Sequence, residues 1–165
     1  MINSNVQEAI NQQIKNELYS AYLYLAMSAH FEATNLPGFA HWFRLQSNEE
    51  VEHAMKLFDY LNDRGGRVEL YAIDKPPNSW ASNLAAFEQA LQHEQKVTGL
   101  IYKLYETALN ENDYATQVML QWFIDEQVEE EKNATQIVEQ LKLIEERGTA
   151  VLFLDKQLGK RSGEE

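Results

Sequence analysis

A spacing that repeats between the two halves of the chain limits the fold more than any other feature. In each half, a glutamate is followed 33 and 36 residues later by two further polar side chains. The first set is Glu17, Glu50 and His53, and the second is Glu94, Gln127 and Glu130. The last two residues of each set are three positions apart, so a helix would present them on one face. The repeat predicts two similar helical hairpins.

The rest of the chain favours the same organisation. Only seven Gly and three Pro occur in 165 residues, and all except Gly99 lie near the ends of the predicted helices or outside them. We predict an all-α four-helix bundle over about 4–147, with a short fifth helix over about 149–160, in a single domain spanning 1–165. The helices are expected at about 4–33, 37–64, 82–109 and 114–147.

Loop lengths give the topology. The turns between helices one and two and between helices three and four are short, so each pair should be antiparallel. The connection between helices two and three has about 16 residues, which can extend roughly 50 Å. A helix of about 28 residues is roughly 42 Å long. This connection can therefore cross the whole bundle and make helices two and three parallel.

Each predicted helix has one apolar stripe with a polar interruption near its middle. The stripes contain Ile10, Ile14, Glu17, Ala21, Tyr24 and Ser28; Phe39, Phe43, Gln46, Glu50, His53, Leu57 and Tyr60; Leu84, Phe87, Leu91, Glu94, Thr98, Ile101 and Tyr105; and Leu120, Phe123, Gln127, Glu130, Ala134, Ile137 and Leu141. None contains Lys or Arg. Because the interruptions lie at similar distances from the turns, we expect them at one height in the core.

Four buried glutamates and one histidine in the same layer indicate a metal site. Unpaired buried carboxylates are costly and would either take up protons or acquire cations. Two divalent or trivalent ions would neutralise the four charges. Oxygen ligands with one imidazole suit iron or manganese, while zinc remains an alternative on affinity.

Composition excludes several other classes of protein. The absence of cysteine excludes disulfides, thiolate metal sites and cysteine nucleophiles. A net charge of −12 argues against a nucleic-acid partner. The first residues resemble no secretory signal, and no run approaches a membrane span of roughly 18 apolar residues. A cytoplasmic protein without a membrane partner is expected.

The motifs resemble those of the ferritin family, specifically the prokaryotic non-haem ferritins, over essentially the whole chain. The matching segments are 16–20 (NELYS), 49–54 (EEVEHA), 93–94 (HE) and 125–131 (DEQVEEE). The resemblance implies a ferroxidase centre at which Fe(II) is oxidised. Its implied catalytic residues are Glu17, Glu50, His53, Glu94, Gln127, Glu130 and Tyr24, with Glu50 bridging two irons.

The resemblance also implies a possible third iron site at Glu49, Glu126 and Glu129. Haem is not expected, because Val51 follows the bridging glutamate where bacterioferritins have a haem-ligating methionine. The apolar tail over about 149–160 has no bundle stripe to join, which favours an assembly. The family implies a homo-oligomeric shell of 24 subunits. His93 lies off the stripes, where a surface or packing role is favoured, and Trp122 is expected to be an interface or core aromatic.

The function implied is iron storage: Fe(II) is oxidised by O2 or H2O2, and a ferric mineral is deposited inside the shell. Two alternatives remain open on the residues alone. A passive iron buffer would bind metal without rapid oxidation. A di-metal oxygenase would act on an organic substrate and would need an apolar pocket beside the metals.

Overall fold

The structure, a computed structural model, describes residues 1–163. Positions 164 and 165, the last two of the predicted domain, lie outside the described residues. The elements in chain order are α1 (Ser4–Ala33), α2 (Pro37–Asp63), α3 (Asn83–Asn110), α4 (Tyr114–Ile144) and α5 (Gly148–Leu158). The predicted all-α bundle with a short fifth helix is confirmed. The predicted end of the fourth helix was three residues too late.

Local sequence explains where the helices begin. The side chains of Asn3, Ser82 and Asp113 precede α1, α3 and α4, and each accepts a hydrogen bond from a backbone N–H in the first turn. These caps satisfy donors that have no partner inside a helix. α2 begins instead with Pro37, whose fixed φ suits the first helical position and whose missing N–H costs nothing there.

The tight turns use residues that tolerate a left-handed backbone. Asn35 between α1 and α2 has φ 63°, and Asn112 between α3 and α4 has φ 54°. Asparagine visits this region more readily than most residues because its side chain can hydrogen-bond locally. Both turns are short enough to fold each pair of helices back on itself as an antiparallel hairpin.

Contacts at both ends of the bundle confirm that α2 and α3 are parallel. Near their first turns, the rings of Trp42 and Phe87 lie 5.6 Å apart. Just beyond α2, Arg64 donates a 2.9 Å hydrogen bond to Asp113, which follows α3. The connection between them has no helix or strand. Asn11 of α1 pins it by donating to the Arg67 carbonyl and accepting from the Glu69 N–H, both at 3.0 Å.

The buried core has two apolar clusters separated by a polar layer. One cluster is aromatic and includes Phe31, Phe39, Phe43 and Phe87. The other is mainly aliphatic and includes Ile10, Ile14, Leu57, Ile101 and Phe123. Both contain residues from all four long helices. Because this packing fixes the helices above and below the polar layer, the side chains within that layer are held at a common height.

α5 packs against the bundle, although the sequence offered no apolar stripe for it to join. Asp155 of α5 is buried, and its carboxylate accepts a 2.8 Å hydrogen bond from the Phe39 N–H at the start of α2. A Cβ added to Gly38 would lie 1.7 Å from the Asp155 carbonyl oxygen, so glycine permits this close approach. Even so, Leu152 and Phe153 remain 60% and 65% exposed. The tail therefore packs one face on its own bundle and leaves the other outside.

No helix within residues 1–163 combines the length and the apolar character that a membrane span requires.

Candidate metal centre

The polar layer contains the six residues that the repeated spacing identified. All are at most 5% exposed: Glu17, Glu50, His53, Glu94, Gln127 and Glu130. Each of the four long helices contributes at least one of them. Ligand atoms of Glu17 and Glu130 each lie within 4.8 Å of a His53 nitrogen, and Gln127 donates a hydrogen bond to Glu94, so the predicted common height of these residues is confirmed.

His53 lies between two groups of carboxylates. On one side, ligand atoms of Glu17, Glu50 and His53 lie within 4.8 Å of one another, and His53 Nδ1 is 3.3 Å from Glu50 Oε2. On the other side, His53 forms a similar group with Glu126 and Glu130, and its Nε2 is 3.9 Å from Glu126 Oε1. Both groups have the ligand types and spacing that a cation requires.

Three oxygens in the first group lack a hydrogen-bond donor among residues 1–163. They are Oε2 of Glu17 and both carboxylate oxygens of Glu50, all buried. Leaving an acceptor buried and unpaired costs free energy that native cores normally avoid. Metal ions supply the missing partners directly, so this donor set fits a cation.

Amide and phenol groups from both hairpins hold the carboxylates of the second hairpin, Glu94 and Glu130. The Tyr24 hydroxyl donates a short hydrogen bond to Glu94 Oε1, and Gln127 Nε2 donates to Glu94 Oε2 at 3.1 Å. Gln46 of α2 donates to Glu130 Oε2 at 2.5 Å. One oxygen of Glu130 and both of Glu94 are thus oriented, and these fixed positions pre-organise the layer for a ligand.

Burial makes it unfavourable for all the carboxyls of this layer to be ionised at once. Burial raises the pKa of Glu94 to about 7. Burial, reinforced by the Glu94 carboxylate, raises the pKa of Glu130 to about 9. The pKa of Glu50 is also raised well above its ordinary value by burial and then by Glu94 and Glu17. Without a cation the layer holds protons near neutral pH, and a bound cation would replace them.

The outer acids predicted as a third site are arranged less uniformly. Glu49 and Glu126 are partly buried and line a cavity of about 180 Å³ that also reaches His53. Glu129 is exposed, and of the three acids only Glu126 belongs to one of the two ligand groups found within residues 1–163. The structure thus brings two of these three acids to the edge of the central layer.

Some residues at this edge were not identified as functional from sequence. The cavity is also lined by Glu52, Lys56 and Trp122, and the Lys56 ammonium lies 3.8 Å from the centre of the Trp122 ring. Trp122 in turn packs edge-on against His53, with the ring centres 5.4 Å apart. These residues do not interrupt an apolar stripe, so the periodicity contained no signal for them.

Of the surface and packing roles expected for His93, the structure shows packing. Its ring lies 5.8 Å from those of both Tyr19 and Tyr24, and its Nε2 is 2.7 Å from the Ser20 hydroxyl. Burial, with a further contribution from Lys96, lowers its pKa to about 4. The imidazole is therefore neutral near pH 7 and supports the Tyr24 side chain.

Comparison with known proteins gives concordant matches. A family sequence model described as "Ferritin-like domain" matches residues 7–144. The bacterial non-heme ferritin of Bacteroides fragilis strain 638R is 44% identical over 161 residues, covering 98% of this chain and 100% of that protein. The bacterial non-heme ferritin of Staphylococcus aureus strain USA300 is 38% identical over 165 residues, covering 100% and 99%.

Solved structures agree with these sequence matches. An open-pore ferritin from the hyperthermophilic archaeon Archaeoglobus fulgidus superposes with a TM-score of 0.97 at 52% identity, covering 98% of this chain and 100% of that one. A closed form of the Archaeoglobus fulgidus ferritin, engineered by site-directed mutagenesis, gives a TM-score of 0.98 at 51% identity, with coverages of 99% and 100%. The similarity therefore extends along the whole bundle and includes α5.

Proposed function

Because this chain belongs to the ferritin family, we propose that it stores iron and that its buried polar layer is a ferroxidase centre. Fe(II) is the substrate, and a ferric mineral is the stored product. The observation that supports this most directly is the set of buried, unpaired oxygens on Glu17 and Glu50 beside His53. A bundle without a metal-handling role would gain stability by replacing them with apolar side chains.

The first Fe(II) is assigned to Glu17, Glu50 and His53, and the second to Glu94 and Glu130, with Glu50 bridging. Gln127 is assigned to orient Glu94, to which it donates a hydrogen bond. Tyr24 is assigned beside the second iron, because its hydroxyl contacts the same carboxylate. The four carboxylates together balance the charge of two Fe(II) ions.

The chemistry follows from placing two one-electron donors side by side. Two Fe(II) ions release two electrons together, which with two protons reduce O2 to H2O2, or H2O2 to two molecules of water. Hard carboxylate oxygens stabilise Fe(III) more than Fe(II), which makes the oxidation favourable. Fe(III) then leaves for the mineral, and the vacated carboxylates can take up protons because burial raises their pKa values.

A third iron site is proposed at the edge of this layer, with Glu49 and Glu126 as its principal ligands and Glu129 as a further one. Glu49 and Glu126 line the cavity that reaches His53, so an ion there would lie next to the inner pair. Its role would be to hold iron on the way into or out of the centre.

The storage compartment requires an assembly, and we propose a homo-oligomeric shell of 24 subunits in the cytoplasm. Leu143, Leu152 and Phe153 are more than half exposed. They lie on or beside an apolar groove of about 1170 Å³ formed by the ends of α4 and α5. Exposed apolar surface of this extent favours contact with further copies of the chain. Native mass spectrometry of the purified protein measures the number of subunits.

The decisive experiment is stopped-flow Fe(II) oxidation in air at two irons per subunit. Wild-type protein is expected to give a fast phase, and Glu50→Ala or His53→Ala should remove it, because each loses a ligand of the first iron. Glu145→Ala, which alters an exposed acid, is the matched control and should keep the fast phase. If both ligand variants oxidise iron as fast as the wild type, the proposed centre is wrong.

The same data test the alternatives. A passive iron buffer would bind two ions per subunit without a fast phase in any variant. An oxygenase would need an apolar substrate pocket beside the metals. The cavity that reaches His53 is lined mainly by charged side chains, and the large apolar groove lies at α4 and α5. The geometry therefore favours small inorganic substrates over an organic one.

A further inference from the structure

Arg161, three residues beyond α5, makes an unusual set of contacts with α2. Its Nη2 donates a 2.8 Å hydrogen bond to Glu49 Oε2. Its Nη1 donates to Gln46 Oε1 at 2.9 Å and to the Trp42 carbonyl at 3.3 Å. The guanidinium carbon also lies 4.9 Å from the centre of the Trp42 ring. The side chains of Arg161 and Glu49 are only 22% and 16% exposed, so this ion pair is substantially shielded from water.

The backbone at Arg161 is held in place as well as the arginine side chain. The Arg161 carbonyl lies 2.7 Å from His41 Nε2, within hydrogen-bonding distance. Just upstream, Asp155 anchors α5 to the Phe39 N–H. Contacts on both sides of the guanidinium therefore limit where it can go. These contacts hold Arg161 in one position, so it is not a freely moving surface side chain.

The acid paired with Arg161 lies at the edge of the central polar layer. Glu49 lines the cavity with Glu126 and His53. Gln46, which accepts from Arg161, donates through its own amide to Glu130 of the central layer. The guanidinium thus neutralises an outer acid directly and is connected to an inner carboxylate by two hydrogen bonds through Gln46. A divalent cation binding through Glu49 would have to compete with this resident positive charge.

We propose that Arg161 is a tethered cation that holds Glu49 until a third metal ion displaces it. This inference rests on the proposed function, in which the outer acids bind a third ion. It adds to that function an order in which the metal ions bind. The inner pair of ions can bind without moving the tail, whereas the outer ion binds only when the guanidinium leaves Glu49. The third ion should therefore bind more weakly than the inner pair, and its arrival should loosen the tail.

Calorimetric titration of the metal-free assembly with Zn(II), which is redox-inert, tests the competition. Arg161→Gln should tighten the third ion by about tenfold and leave the inner two unchanged. Arg161→Lys keeps the charge but loses the paired guanidinium contacts, so its affinity for the third ion should lie between those of wild type and Arg161→Gln. Arg147→Gln is the matched control, because Arg147 makes an exposed ion pair with Glu145. Equal third-ion affinity in wild type and Arg161→Gln would overturn the proposal.

Hydrogen exchange on the wild-type protein gives a second test that needs no variant. Exchange in a peptide covering 156–165 should rise on adding the third equivalent of Zn(II) and not on adding the first two. No rise at the third equivalent contradicts the proposal.

Failure of the underlying function has a different signature. If Glu17→Gln leaves the two tightest ions in place, the proposed inner centre is wrong. If Glu49→Gln leaves the third ion in place, the outer ion does not use Glu49, and the competition with Arg161 is excluded.

Discussion

The buried carboxylate of Asp155 in α5 accepts a 2.8 Å hydrogen bond from the backbone N–H of Phe39 in the first turn of α2. This single contact joins the last helix to the start of another, 116 residues earlier in the chain. The first N–H groups of a helix have no partner within the helix, and an anionic side chain is especially favourable there. Asp155 thus acts as an N-terminal cap supplied from a distance.

Asp155→Ala should lower the free energy of unfolding by about 1–2 kcal/mol, the usual cost of losing such a cap. Asp155→Asn retains an oxygen acceptor and should lose less. Urea denaturation followed by circular dichroism measures both variants. The capping role is wrong if the alanine variant is as stable as the asparagine variant.

Gly38→Ala tests the close approach of α5 to α2. The added Cβ would lie 1.7 Å from the Asp155 carbonyl oxygen, so α5 must shift, at a cost of about 1–3 kcal/mol. Gly99→Ala is the matched control, because its Cβ would meet nothing within 4 Å. It should stabilise α3 by about 0.4–1 kcal/mol. Thermal unfolding of the two variants should therefore move in opposite directions, and equal shifts would contradict the packing argument.

The sequence was most informative where long helices pack in register. The repeat separating Glu17 from Glu50 also separates Glu94 from Gln127, and both hairpins deliver these residues to one buried layer. Helical periodicity determines which face is buried, and short turns determine relative height. The fold and the position of the central layer could therefore be predicted from one sequence.

The remaining features depend on contacts without periodicity. Gly38 reads in the sequence as a helix break, but its structural role is to admit the backbone of α5. The contact of Arg161 with Glu49 joins residues 112 positions apart, and no spacing rule relates them. Trp122 is 38% exposed and yet packs against His53. Such contacts follow from how α5 and the edge of α4 dock, which local patterns do not encode.

The metal-free protein should lose stability as the pH rises. The carboxyls of Glu94 and Glu130 titrate near 4.5 when unfolded, but their pKa values in the folded protein are about 7 and about 9. Between these limits the folded state binds more protons than the unfolded state, so the free energy of unfolding falls with rising pH. This contribution is fully present below about pH 4.5 and is lost as the pH rises through about 7 for Glu94 and about 9 for Glu130.

Thermal unfolding at pH 6, 7, 8 and 9, after chelation of metal, measures this slope. Glu130→Gln removes one titrating group and should flatten the slope between pH 7 and pH 9. Saturating Zn(II) should flatten it further, because the cation takes the place of the protons. A metal-free wild type whose stability rises over this range would show that other groups control its pH dependence.

Tyr24→Phe tests how a side chain of α1 prepares the Glu94 carboxylate of α3 for a cation. The Tyr24 hydroxyl donates to Glu94, and this hydrogen bond lowers the pKa of a carboxyl that burial raises to about 7. Removing the hydroxyl should raise the pKa of Glu94 further, so that a proton competes more strongly with metal. The affinity for the second Zn(II) should fall by about tenfold at pH 7, within the range for losing one charge-assisted hydrogen bond. At pH 9 the proton competes less and the difference from wild type should shrink.

Tyr22→Phe, which alters a 46% exposed tyrosine, is the control and should change the affinity for the second Zn(II) at neither pH. Calorimetry at both pH values decides: an equal loss at pH 7 and pH 9 would mean that Tyr24 acts by shape alone and not through the protonation of Glu94.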